Sequence, residues 1–300
     1  QPYVQRLGPE GLLAQNWPAG GVRVDSLWFG RGRRSPKPMA AIPDGRHGAF
    51  VAWTATPFYS SLGTTVFVQS IGPNAETRWG SESIRLASGP GISPAIALVP
   101  DEAGGIYVFW SEAREALGIT RIYGQHLRVD GRLLWPAGGI GLSSRTVSVY
   151  DGPVATTDGH GGAILGWSGI VNTESNIYAT IVPAQAVGNH VHQVPTGPNP
   201  YDTIVCSTAG MQYRPRITAT GDDNAILAWL DERRPQHVDL YAQKLGRDGS
   251  RLWRAAGIPL TTSASGLSAL ELSTDGKRGG DRAGVVGGKG VGPGGRRYSE

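Results

Sequence analysis

The chain has very little sulfur: one cysteine and two methionines in 300 residues. Cys206 cannot close an internal disulfide, so packing and strand pairing alone must hold the fold. No apolar run approaches the roughly 18 residues of a membrane-spanning helix, and no membrane insertion is expected. A Gly-rich phosphate loop, a Ser-His-Asp order and a nucleophile elbow are all missing, which removes the common nucleotide-binding and serine-hydrolase readings. A basic face is also missing. The net charge is +4, and residues 277–300 supply all of it with six basic groups and two acids, leaving 22 of each sign on residues 1–276. A nucleic-acid footprint needs its Lys and Arg on the folded body, so no nucleic-acid partner is expected. The chain starts at Gln1, inside what reads as a strand and with no signal peptide. It is expected either to have lost a leader or to be a segment of something longer.

Glycine and proline are plentiful, 45 and 21, and apolar residues make up 39%, enough for a core. They are arranged in a recurring block. Each block has a short apolar stretch, an Asp/Gly turn, an aliphatic run ending in Trp, a loop, an aromatic-x-Gln strand, a second Gly turn and a further Trp. The first Trp recurs as Trp53, Trp110, Trp167 and Trp229, at spacings of 57, 57 and 62 residues. The aromatic partner recurs as Tyr3, Phe67, Tyr123, Tyr178 and Tyr241, and the second Trp as Trp17, Trp79, Trp135 and Trp253. Self-similarity at this period marks a propeller, solenoid or array.

Residues 93–145 show the block most clearly. Pro94 to Val99 reads as a short strand, Pro100 to Gly105 as turn chemistry, and Ile106 to Trp110 as a buried strand. Arg121 to Leu127 reads as a third strand, and Asp130-Gly131 as a hairpin turn into a fourth at Trp135. Four short strands joined in order make one antiparallel propeller blade. The sequence therefore predicts an all-β propeller of about five blades. Residues 1–276 form the repeat domain, with repeats near 38–92, 93–152, 153–214 and 215–267. Residues 1–37 hold only the last two strands of a block and residues 268–288 only the first two, so they are expected to form one composite blade. A closed ring and a fragment cut from a longer array both fit this pattern. Residues 277–300, nine of them Gly, read as a poorly ordered tail.

The Gly-Gly-Ala-Ile-x-x-Trp, Ile-Tyr-Ala-x and Asp-Gly-x-x-Leu-Trp series resembles a β-propeller-like repeat of large secreted or surface proteins of bacteria. That resemblance implies an extracellular or cell-envelope location and no particular activity. The run from Ile122-Tyr123 to Asp130-Gly131 and Trp135 also resembles, more distantly, the tryptophan-docking repeat of PQQ-type quinoprotein dehydrogenases. There the Trp packs between blades. The vicinal cysteine pair of many quinoprotein alcohol dehydrogenases has no counterpart here.

Recurrence argues that Trp53, Trp110, Trp167, Trp229, Trp135, Trp253, Tyr123, Tyr178 and Tyr241 are repeat core, because a site needs asymmetry and a core does not. The recurring turn acids read as Asp residues capping their own backbone. The candidate binding residues are less regular. Glu112 with Arg114, and Asp231 with Arg233, follow a Trp in two blades only; they pair locally or form a polar rim that meets a ligand. His190-x-His192 is the one metal-like spacing and lacks a third ligand, so no metal or other cofactor is expected. Four of the first strands hold no acid, and Glu271 on the fifth stands alone, poor material for a paired-carboxylate mechanism. These features predict a non-catalytic binding or interaction module for a glycan, a peptide or a neighbouring domain. The alternative is a propeller-type enzyme acting on glycans or a PQQ-like dehydrogenase. Carboxylates or an Arg cluster at the channel mouth, around Glu271 and Arg216, would favour the enzyme.

Overall fold

The structure, a computed structural model, describes residues 2–24, 34–57, 63–114, 119–144, 146–147, 151–171, 174–184, 202–261, 267–274 and 283–289. The described residues contain strands and no helix. An N-terminal pair comes first, β1 (Tyr3–Val4) and β2 (Val22–Arg23). The next sheet holds β3 (Arg34–Pro43), β4 (Ala49–Pro57), β5 (Thr64–Ile71) and β6 (Ile84–Gly89). It is followed by β7 (Ile92–Pro100), β8 (Ile106–Ala113), β9 (Thr120–Leu127) and β10 (Ile140–Gly141). The third contains β11 (Val154–Thr157), β12 (Ala163–Val171), β13 (Glu174–Val182) and β14 (Thr203–Cys206). The fourth contains β15 (Gln212–Ala219), β16 (Ala225–Asp231), β17 (Asp239–Leu245) and β18 (Ile258–Thr261). A last pair, β19 (Leu267–Thr274) and β20 (Ala283–Lys289), ends the described chain.

Each four-stranded sheet is a meander of neighbours in chain order. The first strands β3, β7, β11, β15 and β19 touch in that order. This is an all-β propeller with four complete blades and a two-stranded sheet at either end. The second and third strands are buried on both faces because each blade is sandwiched between two others. That is why they read as continuous apolar runs rather than as an alternation. First strands such as β11 are half-exposed along their length, as the lining of a central channel must be.

Three local devices repeat. First, the second-strand Trp stacks on the third-strand aromatic opposite it. Trp53 meets Phe67 at 5.7 Å, Trp167 meets Tyr178 at 5.9 Å and Trp229 meets Tyr241 at 6.4 Å between ring centroids. Second, a fully buried Gln two residues on ties the third strand to the turn carrying the second Trp. Gln125 donates to the carbonyls of Trp135 and Pro136 and accepts from the Trp135 N–H; Gln69 accepts from the Trp79 N–H and donates to the Gly80 carbonyl, and Gln243 accepts from the Trp253 N–H and donates to the Arg254 carbonyl. Third, the Asp of the first turn folds its own backbone. Asp44 accepts from the N–H of Arg46 and Gly48, Asp101 from Ala103 and Gly105, and Asp158 from His160 and Gly162. Glycine is required at the end of this turn. A Cβ on Gly48, Gly105 or Gly162 would lie 2.3, 2.2 or 2.5 Å from a carbonyl oxygen of the third strand.

The tail expected from residue 277 is extended over part of its length, since Ala283–Lys289 pairs with β19. Residues 277–282 and 290–300 lie outside the described residues.

The turn acids set an acid limit on stability. Burial raises the Asp44 and Asp101 carboxyls. Backbone N–H groups with Arg78 in one case, and His126 with backbone N–H groups in the other, outweigh it and hold both below 3.8. Groups depressed in the folded state stabilise it above their unfolded value and lose that contribution as pH falls through the folded one. We expect the urea midpoint to hold from pH 7 to about 4 and to drop below that. An Asp101→Asn variant should lose less between pH 4 and 2 than the parent does.

Candidate functional site

The Trp-x-acid-x-Arg motifs close into compact internal latches. Glu112 accepts from the Trp110 indole at 2.9 Å and from Arg114 at 2.8 Å, and the Arg114 guanidinium lies 3.7 Å over the Tyr123 ring. Asp231 accepts from the Trp229 indole at 2.8 Å and from two Arg233 nitrogens, and Arg233 lies 3.6 Å over Tyr241. Both carboxylates are buried, and each Arg also donates to a carbonyl of the fourth-strand turn, Gly138 or Ala256. The acid thus neutralises the cation and satisfies the buried indole at once. The third blade has Gly169 at this position, and its Trp167 N–H has no partner among the described residues. His190 and His192 lie outside the described residues. No group of three or more His, Cys, Asp or Glu among the described residues could hold a metal ion.

The starts of the first strands bring together a different set. The first strands break register at Lys37/Ala40, Ile92/Ile96 and Tyr213/Arg216. Each break spans a proline (Pro38, Pro94 or Pro215), which has no N–H for the ladder, so the strand bulges there. At the last bulge Arg214 takes a positive φ of 52°. Its N–H turns towards the neighbouring blade and donates to Asp151 at 3.0 Å, and Ser168 donates to the same carboxylate oxygen at 2.7 Å. Tyr213 donates its phenol to Glu232 at 2.8 Å. Burial, the bond to Glu232 and the charge of Asp151 together push the Tyr213 phenol up, with Arg214 opposing them, so it stays a donor at neutral pH. Glu232 follows the end of β16, which lies beside the start of β15 where Gln212 faces Asp231. Asp151, Tyr213, Arg214 and Glu232 therefore share the end of the propeller at which first strands begin. Further along the same strand, Arg216 approaches Glu271 of β19 at 4.0 Å, with side chains 41% and 78% exposed.

The sequence reading identified Glu271 and Arg216 and missed the rest. Asp151 lies in the connection between two repeats, and Tyr213 and Glu232 hold positions filled differently in each blade. That lack of recurrence was the available signal.

No protein-family model and no curated protein matches the chain. Solved structures do. The chain is similar to an N-acetylgalactosamine deacetylase from F. plautii, solved with blood group B trisaccharide, at 10% identity over 86% of this chain and 73% of that one, with a TM-score of 0.39. It is similar to an α-L-arabinofuranosidase from Podospora anserina, solved with cellotriose, at 13% identity over 86% and 83%, TM-score 0.38. It is also similar to an endo-arabinase from Bacteroides thetaiotaomicron at 12% identity over 92% and 99%, TM-score 0.38. At such identity the likeness concerns the fold. The expectations of a non-catalytic module and of a chain that is not an enzyme are corrected in their ground: the lack of acids on the first strands overlooked Asp151 and Glu232 beside them, and the three solved structures named here are glycan-acting enzymes.

The latches are structural, and their removal should be costly. Asp231→Ala leaves Arg233 and the Trp229 N–H buried without their partner and should destabilise by about 3–5 kcal/mol in denaturant titration. Asp130→Ala, on an exposed turn, should stay within about 0.5 kcal/mol.

Proposed function

We propose that the chain is an enzyme acting on glycans, with its site at the channel mouth where the first strands begin. The observation that supports this most is that three carboxylates each meet β15: Asp151 accepts from the Arg214 N–H, Glu232 from the Tyr213 hydroxyl, and Glu271 lies 4.0 Å from Arg216. Glycosidic cleavage uses two carboxyl groups facing each other across the bond, one stabilising charge or activating water and the other carrying the proton. In this reading Asp151 is the carboxylate held in place, by the Arg214 N–H and the Ser168 hydroxyl. Glu232 is the proton carrier, positioned by the Tyr213 hydroxyl. Glu271, opposite Arg216, reaches into the channel to meet the sugar. The strained backbone at Arg214 belongs here, since strain concentrates where structure serves a site. The repeat resemblance supports an extracellular or envelope location, where polysaccharide is met. No helix among the described residues is long and apolar enough to cross a membrane.

Reducing-end release from a panel of plant, algal and amino-sugar polysaccharides tests the reading. The parent should turn over at least one substrate. Asp151→Asn and Glu232→Gln should each lower kcat/KM by about 10²-fold or more with an unchanged melting temperature. Equal activity in parent and both variants would overturn the assignment.

A further inference from the structure

The N-terminal pair carries several marks of the outer half of a blade. Gln5, exposed here, repeats part of the Gln device, donating to the carbonyls of Pro18 and Ala19 beside Trp17 and accepting from the next N–H, that of Arg6. The Leu7–Leu13 bridge repeats Ile71–Thr77, Leu127–Leu133 and Leu245–Arg251. The Trp17 indole donates to Pro73 of the following blade as Trp79 donates to Val129. One thing differs. Phe67, Tyr123, Tyr178 and Tyr241 are buried, as are Ile71, Leu127 and Leu245, whereas Tyr3 is 53% and Leu7 59% exposed.

The missing cover has a defined shape. An open groove of about 430 Å³ runs between Val4–Leu7 with Trp17 on one side and Ala41–Pro43 with His47–Ala49 on the other. At the next interface the residues corresponding to Ala49 and Val51, Ile106 and Val108, pack in one cluster with Phe50 and Ala52 of the preceding second strand. The groove is therefore the place of a second strand.

Among the described residues one second strand belongs to a sheet that lacks an outer half. β19 packs on the fourth blade through Leu270 and Leu272, as a fifth inner strand should, and β20 pairs with it in a two-stranded sheet. We propose that the groove is the acceptor site for β20 of the same chain, which adds to the free edge of β1 and completes a fifth blade. The register follows from the other four. In each, the first residue of the second strand faces the last residue of the first strand: Ala49 faces Pro43, Ile106 faces Pro100, Ala163 faces Thr157 and Ala225 faces Ala219. In the last pair, Ala283 faces Thr274. The same residue then faces Ile71, Leu127, Val182 or Leu245 on the third strand. Ala283 thus belongs opposite Leu7, Val285 opposite Gln5 and Gly287 opposite Tyr3. Gly287 stands where every complete blade has its Trp, so this blade lacks its central stack and is the weakest link of the ring. Because β19 carries Glu271, docking of β20 also holds that acid opposite Arg216. The inference rests on the repeat geometry alone and does not depend on the proposed activity.

A Gln5→Cys/Val285→Cys chain tests it. Facing residues of an antiparallel pair have Cα atoms about 4.5–5.5 Å apart, within disulfide range. Mild oxidation should give an intramolecular disulfide in monomer, mapped by mass spectrometry to the peptides holding residues 5 and 285, while a Gln5→Cys/Ala283→Cys control cross-links far less. A folded double variant that stays reduced would overturn the proposal. So would cross-linking found only in dimers, which would make a second copy the occupant. Independently, Gly287→Trp should raise the melting temperature by several degrees; an unchanged or lower value would count against the register.

Discussion

The stack of the second-strand tryptophan on the third-strand aromatic is the contact on which the other features depend. It fixes the two central strands of each blade and forms the layer between blades. Aromatic pairs add about 0.5–1.5 kcal/mol beyond the area they bury. The buried indole N–H then demands an acceptor, and in two blades an acid supplies it. The acid in turn demands a cation, and the Arg that answers lies over the ring of the same aromatic pair. A chain with one cysteine thus obtains locally closed blades from packing and satisfied polar groups.

Much of this was legible in the sequence because a blade repeats. The Trp spacing, the Asp/Gly turns and the Asp-Gly hairpins each belong to one strand or one turn, and local rules suffice to read them. The pairing of Glu112 with Arg114 was also legible as one of two options, since an acid and an Arg two apart on a strand end can reach each other. The partner that unites them, the indole of Trp110, was not, because its N–H direction depends on side-chain packing. The recurring Gln was visible as a pattern without a purpose until Gln69, Gln125 and Gln243 were seen holding the turn of the next Trp.

The channel cluster escaped for a different reason. Asp151 and Arg214 are 63 residues apart and meet only because neighbouring blades place the starts of their first strands side by side. The bulge at Tyr213/Arg216 aims the Arg214 N–H across the gap, and Pro215 within it has no N–H for the ladder. A repeat fold thus gathers this polar cluster from residues that do not repeat, on a framework made of those that do. The fifth inner strand, β19, carries the acid that faces Arg216.

The central claim is that sugar is held at this end of the channel. The most direct measurement is a crystal structure of the chain soaked with an oligosaccharide from any polysaccharide it binds. The account predicts a sugar ring at the channel mouth, with hydroxyls in hydrogen-bond reach of Asp151, Glu232 or Glu271. Sugar bound at the outer rim beside Arg114 or Arg233, with the channel mouth left to solvent, would contradict it.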